Sequence, residues 1–196
     1  MLVSQLLLWT AVIVEGLLIA ALARQIGILH ERIAPAGALT LHQKVTVGEV
    51  ATPMTVVTID GARLEVGGRR DGRSQLLFFA SPDCPVCKSL LPVVRSATKA
   101  EGNWLDVVIA GDGAQPAYRK LASEHGLGGL PLVLSEALGR AFGVCRLPYA
   151  VLLDEEGRVA SLGLVNSREH LESLFAAKEH GVASIQDFLA RRQKEA

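Results

Sequence analysis

Gln75-Leu76-Leu77-Phe78-Phe79-Ala80-Ser81-Pro82-Asp83-Cys84-Pro85-Val86-Cys87 is the stretch on which the reading of this chain turns. Gln75 to Ala80 is a short, nearly unbroken apolar run of strand length. Ser81-Pro82-Asp83 breaks it, and two thiols three residues apart follow. They can close a disulfide only if the backbone curls between them, and the first turn of a helix supplies that curl. The expected local structure is therefore strand, turn, CxxC, helix.

A thiol at a helix N-terminus faces unpaired backbone N–H groups and the positive end of the macrodipole, both of which favour thiolate. Cys84 is accordingly expected to be the attacking thiol with a lowered pKa. Cys87, one turn on, is expected to be more covered and to resolve a mixed disulfide by closing the 84–87 bond. This redox-active disulfide is the only cofactor expected. A zinc site would need a second CxxC or a Cys/His pair at ligand spacing. The five histidines, His30, His42, His125, His170 and His180, form no such pair, so no metal is expected.

Outward from the motif, Leu105–Ala110 reads as a buried strand and Leu130–Leu134 as a second, shorter one. Pro116 to His125 reads as a helix stopped by Gly126. Upstream, Met54–Ile59, Asp60-Gly61 and Arg63–Val66 read as a β-hairpin. Downstream, Asp154 to Gly157 marks a hairpin between Tyr149–Leu153 and Arg158–Val165, opened by Pro148, a residue that begins strands but does not sit inside central ones. Asn166-Ser167-Arg168-Glu169 looks like a cap before a helix whose Leu171, Leu174 and Phe175 share a face. A last short helix is expected from Ser184. Strands alternating with helices give an α/β sandwich.

The CxxC after a strand, Pro92 five residues beyond Cys87, and the segment Phe142-Gly143-Val144-Cys145-Arg146-Leu147-Pro148-Tyr149 resemble the thioredoxin-like proteins. The hairpin is similar to that of the redoxin branch, which includes membrane-tethered periplasmic thioredoxins and peroxiredoxins. The resemblance implies a central mixed sheet flanked by helices. It also implies that Leu147–Pro148 is cis and faces the CxxC, leaving adjoining backbone free to pair with a substrate strand, so Leu147 and Pro148 are the expected substrate-binding residues. Two departures stand out: Asp83 replaces the tryptophan that often precedes the first cysteine, and Phe78 stands where thioredoxins keep a buried acid. A peroxidase pattern would need proline at position 77, which is Leu77. Cys145 is expected to be a packed, buried cysteine, since free Cys is among the most buried residue types.

Leu2 to Ala23 is almost wholly apolar for about 22 residues, enough to cross a hydrocarbon layer of about 30 Å. Ala21-Leu22-Ala23 resembles a signal-peptide cleavage site. The run is longer than an ordinary signal core, however, and no Lys or Arg precedes it, which favours a retained anchor. Glu15 inside it is costly for either reading. The expected organisation is a single-pass anchor over residues 1–23, a juxtamembrane linker over 24–44, and a thioredoxin-like domain over 45–196. Arg24 and Arg32 follow the apolar run, so a literal positive-inside count puts the domain in the cytoplasm. A tethered thiol–disulfide domain makes more sense in an oxidising compartment, and the tethered proteins it resembles face the periplasm, which is the expected location. Formal net charge is zero with no basic stripe, which argues against nucleic acid as a partner.

The whole chain, and most specifically Ser81-Pro82-Asp83-Cys84-Pro85-Val86-Cys87-Lys88-Ser89-Leu90-Leu91-Pro92, resembles the methylamine-utilisation accessory family MauD. That family is implicated in maturing the small (beta) subunit of methylamine dehydrogenase, a periplasmic polypeptide with many disulfides. The resemblance implies a membrane-tethered thiol–disulfide oxidoreductase or isomerase acting on that client, with a membrane redox partner possible. The alternatives are a general periplasmic thioredoxin-like reductase, a non-enzymatic chaperone or scaffold, and a copper chaperone of the same fold.

Overall fold

The computed structural model describes residues 5, 6, 9, 10, 12–19 and 45–179. The chain divides into two units, Met1–Leu41 and His42–Ala196. In the first, residues 12–19 are helical, and Val12, Ile13, Val14, Leu17, Leu18 and Ile19 are exposed. Among the described residues no helix is long and apolar enough to cross a membrane. Parts of the expected anchor, all of the expected linker and the helix expected from Ser184 lie outside the described residues.

The second unit follows the expected order: β1 (Met54–Val57), β2 (Arg63–Val66), β3 (Ser74–Phe79), α1 (Pro85–Ala100), β4 (Leu105–Gly111), α2 (Gln115–Glu124), β5 (Leu132–Leu134), α3 (Glu136–Ala141), β6 (Tyr149–Leu153), β7 (Val159–Leu164) and α4 (Arg168–Glu179). β1 and β2 form the hairpin, while the other strands make a mixed sheet in the order β5-β4-β3-β6-β7. β3 runs parallel to β4 and antiparallel to β6. As the central strand it is buried on both faces along its whole length, which is why Leu76–Phe79 is a continuous apolar run instead of an alternating one, while the buried Ser74 and Gln75 at its start are hydrogen-bonded.

Alternation along the strands sorts the core into two layers. Leu76, Phe78, Leu105, Val107, Ile109 and Leu152 pack with the inward faces of α1, α2 and α4. Leu77, Phe79, Val108, Val151 and Leu153 pack with Leu138 and Phe142 and with Val56 and Val66 of the hairpin. α1 buries Cys87, Leu90, Leu91 and Val94, an i, i+3, i+4, i+7 stripe. Each of its three aliphatic residues contributes about 1.5–3 kcal/mol by leaving water.

The first hairpin strand is shorter than expected because Ile59 changes partner and Thr58, while still donating its N–H to the Ala62 carbonyl at 2.9 Å, turns to face β5. Thr58 bridges Val133, and the Ile59 N–H donates to the Leu132 carbonyl at 2.8 Å, so the hairpin covers the β5 edge. At the opposite edge the Val159 N–H donates to the Glu49 carbonyl at 2.9 Å. At the amino-terminal ends of β3 and β4, Asp106 receives Arg73 Nε at 3.0 Å and Arg70 Nη2 at 2.6 Å. α4 is docked by its apolar face and by Lys178, whose Nζ lies 2.6 Å from Glu155 and over the Trp104 ring.

Candidate functional site

Strand register places the site. Phe79, the last residue of β3, is opposite both Ala110 of β4 and Tyr149 of β6. The loop leaving β3 toward Cys84, the end of β4 and the start of β6 at Pro148 therefore converge on one edge of the sheet, where parallel strands release their connections.

Cys84 is the N-cap of α1, with extended backbone and Pro85 next to it in the first turn. Its Sγ accepts the Cys87 N–H at 3.1 Å, so one of the helix's otherwise unpaired donors already points at the sulfur. Cys84 and Cys87 are disulfide-bonded, with Cα atoms 5.2 Å apart. Cys84 is half-buried, whereas Cys87 is fully buried on the core face of α1. An accessible sulfur capped by an N–H and a shielded partner are the division of labour expected of attacking and resolving thiols. The approach loop is braced by itself: Cys84 N–H donates to the Ser81 carbonyl and Asp83 N–H to Ser81 Oγ, each at 3.2 Å.

The Leu147–Pro148 bond is cis. The Pro148 carbonyl accepts from Val165 N–H at 3.1 Å, but the backbone of residues 145–147 makes no hydrogen bond within the described residues. Leu147 and Val86 are exposed apolar side chains. Cys145 is also exposed, which corrects the expectation that it packs in the core. α3 ends with Phe142 buried, Gly143 turns the chain at φ +63°, and residues 145–147 then pass over the surface before Pro148 returns to the sheet.

Phe78 is fully buried, so no carboxylate lies at that strand position. Sequence reading missed Tyr118 of α2. Its side chain is buried, and its hydroxyl accepts the Asp112 N–H at 3.2 Å and lies 2.9 Å from the Ala80 carbonyl. Burial pushes its pKa up to about 12. Burial likewise raises the Tyr149 hydroxyl. The one sequence signal for Tyr118 was Gly111, a glycine closing a buried strand, which marks a close approach. A Cβ there would fall on the Tyr118 hydroxyl oxygen.

The chain matches no family model. It is 40% identical to the methylamine utilization protein MauD of Paracoccus denitrificans over 194 residues, covering 98% of this chain and 96% of that protein. To MauD of Methylorubrum extorquens it is 41% identical over 191 residues, covering 97% and 92%. Among solved structures, a putative protein disulfide isomerase from Bacteroides thetaiotaomicron matches with a TM-score of 0.59 at 21% identity, over 74% of this chain and 94% of that one. A peroxiredoxin-like protein from Aquifex aeolicus matches at 0.56 and 20%, over 69% and 88%. These structural likenesses establish a thioredoxin-like fold.

Proposed function

Because the chain belongs to the MauD family of methylamine-utilisation proteins, we propose that it is a membrane-tethered thiol–disulfide oxidoreductase or isomerase that helps form the disulfides of the methylamine dehydrogenase small subunit. The observation that carries this reading is the pair itself: a half-exposed Cys84 capping α1 and a buried Cys87 one turn later.

In the reducing direction, the Cys84 thiolate attacks one sulfur of a client disulfide, forming a mixed disulfide and releasing one client thiolate. The Cys87 thiolate then attacks Cys84 Sγ and releases the second. The client gains two electrons and the pair ends oxidised. In the oxidising direction a client thiolate attacks Cys84 Sγ and expels Cys87, and a second client thiolate resolves the adduct. Isomerisation joins the two halves. The helix N-terminus favours Cys84 as the thiolate in every route.

An extended client segment fits against residues 145–147, whose backbone groups have no hydrogen-bond partner among the described residues and whose Leu147, like Val86 of the CxxC, is an exposed apolar side chain. The N-terminal segment supports tethering: its exposed apolar residues 12–14 and 17–19 point to all sides of the helix, a pattern that suits lipid better than water. A periplasmic domain follows from the need to hold clients in exchange where reducing systems do not clear them.

The test is to co-express a Cys87→Ser variant with the small subunit and resolve the products on a non-reducing gel. A covalent adduct is expected that disappears when Cys84 is also replaced by serine. A small subunit that acquires its disulfides equally well with the Cys84→Ser, Cys87→Ser double variant refutes the reading.

A further inference from the structure

We propose that Tyr118 is a positioning residue for the Cys84–Cys87 pair, its buried hydroxyl acting as a rung between β3 and β4 where the loop carrying Cys84 leaves the sheet. The proposal rests on the thiol–disulfide reading above.

β3 and β4 pair in parallel from Ser74 with Leu105 to Phe79 with Ala110. One more ladder bond runs from the Ala80 N–H to the Ala110 carbonyl at 2.9 Å. The evenly spaced bonds of a parallel ladder would next join the Asp112 N–H to the Ala80 carbonyl. The Tyr118 hydroxyl takes that place, accepting from Asp112 N–H at 3.2 Å and donating toward the Ala80 carbonyl at 2.9 Å. The Asp112 carbonyl, also at 2.9 Å, competes with the Ala80 carbonyl for that single proton.

Gly111 is what makes room. An added Cβ would meet Tyr118 hydroxyl and ring carbons, part of a buried and hydrogen-bonded side chain instead of a free flexible end. The strands are thus parted by a hydroxyl at the point where the chain departs for the active site. From Ala80 the path to the sulfur is short and tied, through Ser81, whose carbonyl receives the Cys84 N–H. Fixing the Ala80 carbonyl therefore fixes where the N-terminus of α1 and its capping sulfur stand. With a pKa pushed up to about 12, the hydroxyl keeps its proton, and both its roles, across the range in which thiols titrate.

The test equilibrates the pair with glutathione, protein disulfide plus two reduced glutathiones giving protein dithiol plus oxidised glutathione, for the wild type, Tyr118→Phe and Ser161→Ala. Ser161 lies on edge strand β7 and donates its buried hydroxyl to the Leu174 carbonyl at 2.9 Å, so its replacement also deletes one buried hydrogen bond. Tyr118→Phe is expected to shift the equilibrium at least about threefold toward the disulfide and to raise the Cys84 alkylation midpoint, because a loosened cap holds the thiolate less well. Ser161→Ala is expected to lower the melting temperature while leaving both quantities at wild-type values. If Tyr118→Phe only melts earlier, with both quantities unchanged, the proposal is overturned. A wild type that never equilibrates with glutathione removes the thiol–disulfide reading and this proposal with it. Should Tyr118→Phe fail to fold, the wild-type protein decides by NMR. A slowly exchanging Tyr118 hydroxyl proton that shifts on reduction of the pair supports the rung, and one unmoved by reduction overturns it.

Discussion

Replacing Asp106 with asparagine removes the charge that ties the loop between β2 and β3 to the amino-terminal end of β4. Both carboxylate oxygens are engaged, Oδ1 by Arg73 and Oδ2 by Arg70. Arg73 keeps the carbonyls of Gly102, Asn103 and Leu105 as partners after the change. Among the described residues the Arg70 side chain keeps only a 3.4 Å contact to the Glu65 carbonyl, and its Nε is already buried without a partner there. The side chains of Arg70, Asp106 and Arg73 are 24%, 31% and 37% exposed. The cluster thus lies between surface pairs worth about 0–1 kcal/mol and buried ones whose rupture costs about 3–5. We expect Asp106→Asn to cost about 1–2 kcal/mol after solvent screening. At about 2–4 °C per kcal/mol for a domain of this size, the melting temperature should fall by about 2–8 °C.

The pH dependence follows from the same contacts. Hydrogen bonding from Arg73, and then from Arg70, holds the Asp106 carboxyl below its ordinary value despite partial burial. A depressed folded-state pKa means the unfolded chain binds the proton more tightly. The contribution is therefore complete above the unfolded value of about 3.9 and is lost as pH falls through the folded one. Urea unfolding of the two proteins from about pH 7 down to about pH 2 measures it. The gap in midpoint, at unchanged m-value, should be constant near neutrality and shrink below about pH 4. Equal midpoints at neutrality, or a gap undiminished in acid, would refute the reasoning.

In Cys87→Ser, Cys84 should alkylate with a midpoint below the ~8.5 of an unperturbed thiol, and Cys87 in Cys84→Ser should react far more slowly; a faster, more acidic Cys87 reverses the assignment of roles. Gly111→Ala should cost about 2–4 kcal/mol, combining overpacking against Tyr118 with disturbance of its hydrogen bonds, and a melting curve superimposable on that of the wild type would contradict the close approach. Alkaline phosphatase fused after Ala196 should be active, since it needs an oxidising compartment, whereas activity seen only with a cytoplasmic reporter would reverse the expected topology.

The sequence by itself determined the features that depend on neighbours along the chain. The apolar run of β3, the break at Ser81–Asp83, the CxxC at the start of α1 and the Asp154–Gly157 turn are local patterns, and they placed the thiols and the strand-to-helix transition correctly. Other features depended on partners remote in sequence. Ile59 left the hairpin because the β5 edge offered its N–H the Leu132 carbonyl, while Thr58, still bonded to Ala62, came to lie opposite Val133. Cys145 lies on the surface because the chain must cross from α3 to Pro148, a path that residue preference for burial does not describe. Tyr118 became part of the site because α2 carries it to the fork between β3 and β4, where Gly111 leaves room for its hydroxyl. Periodicity marks which side of a helix turns inward; only packing decides which backbone groups that side will meet.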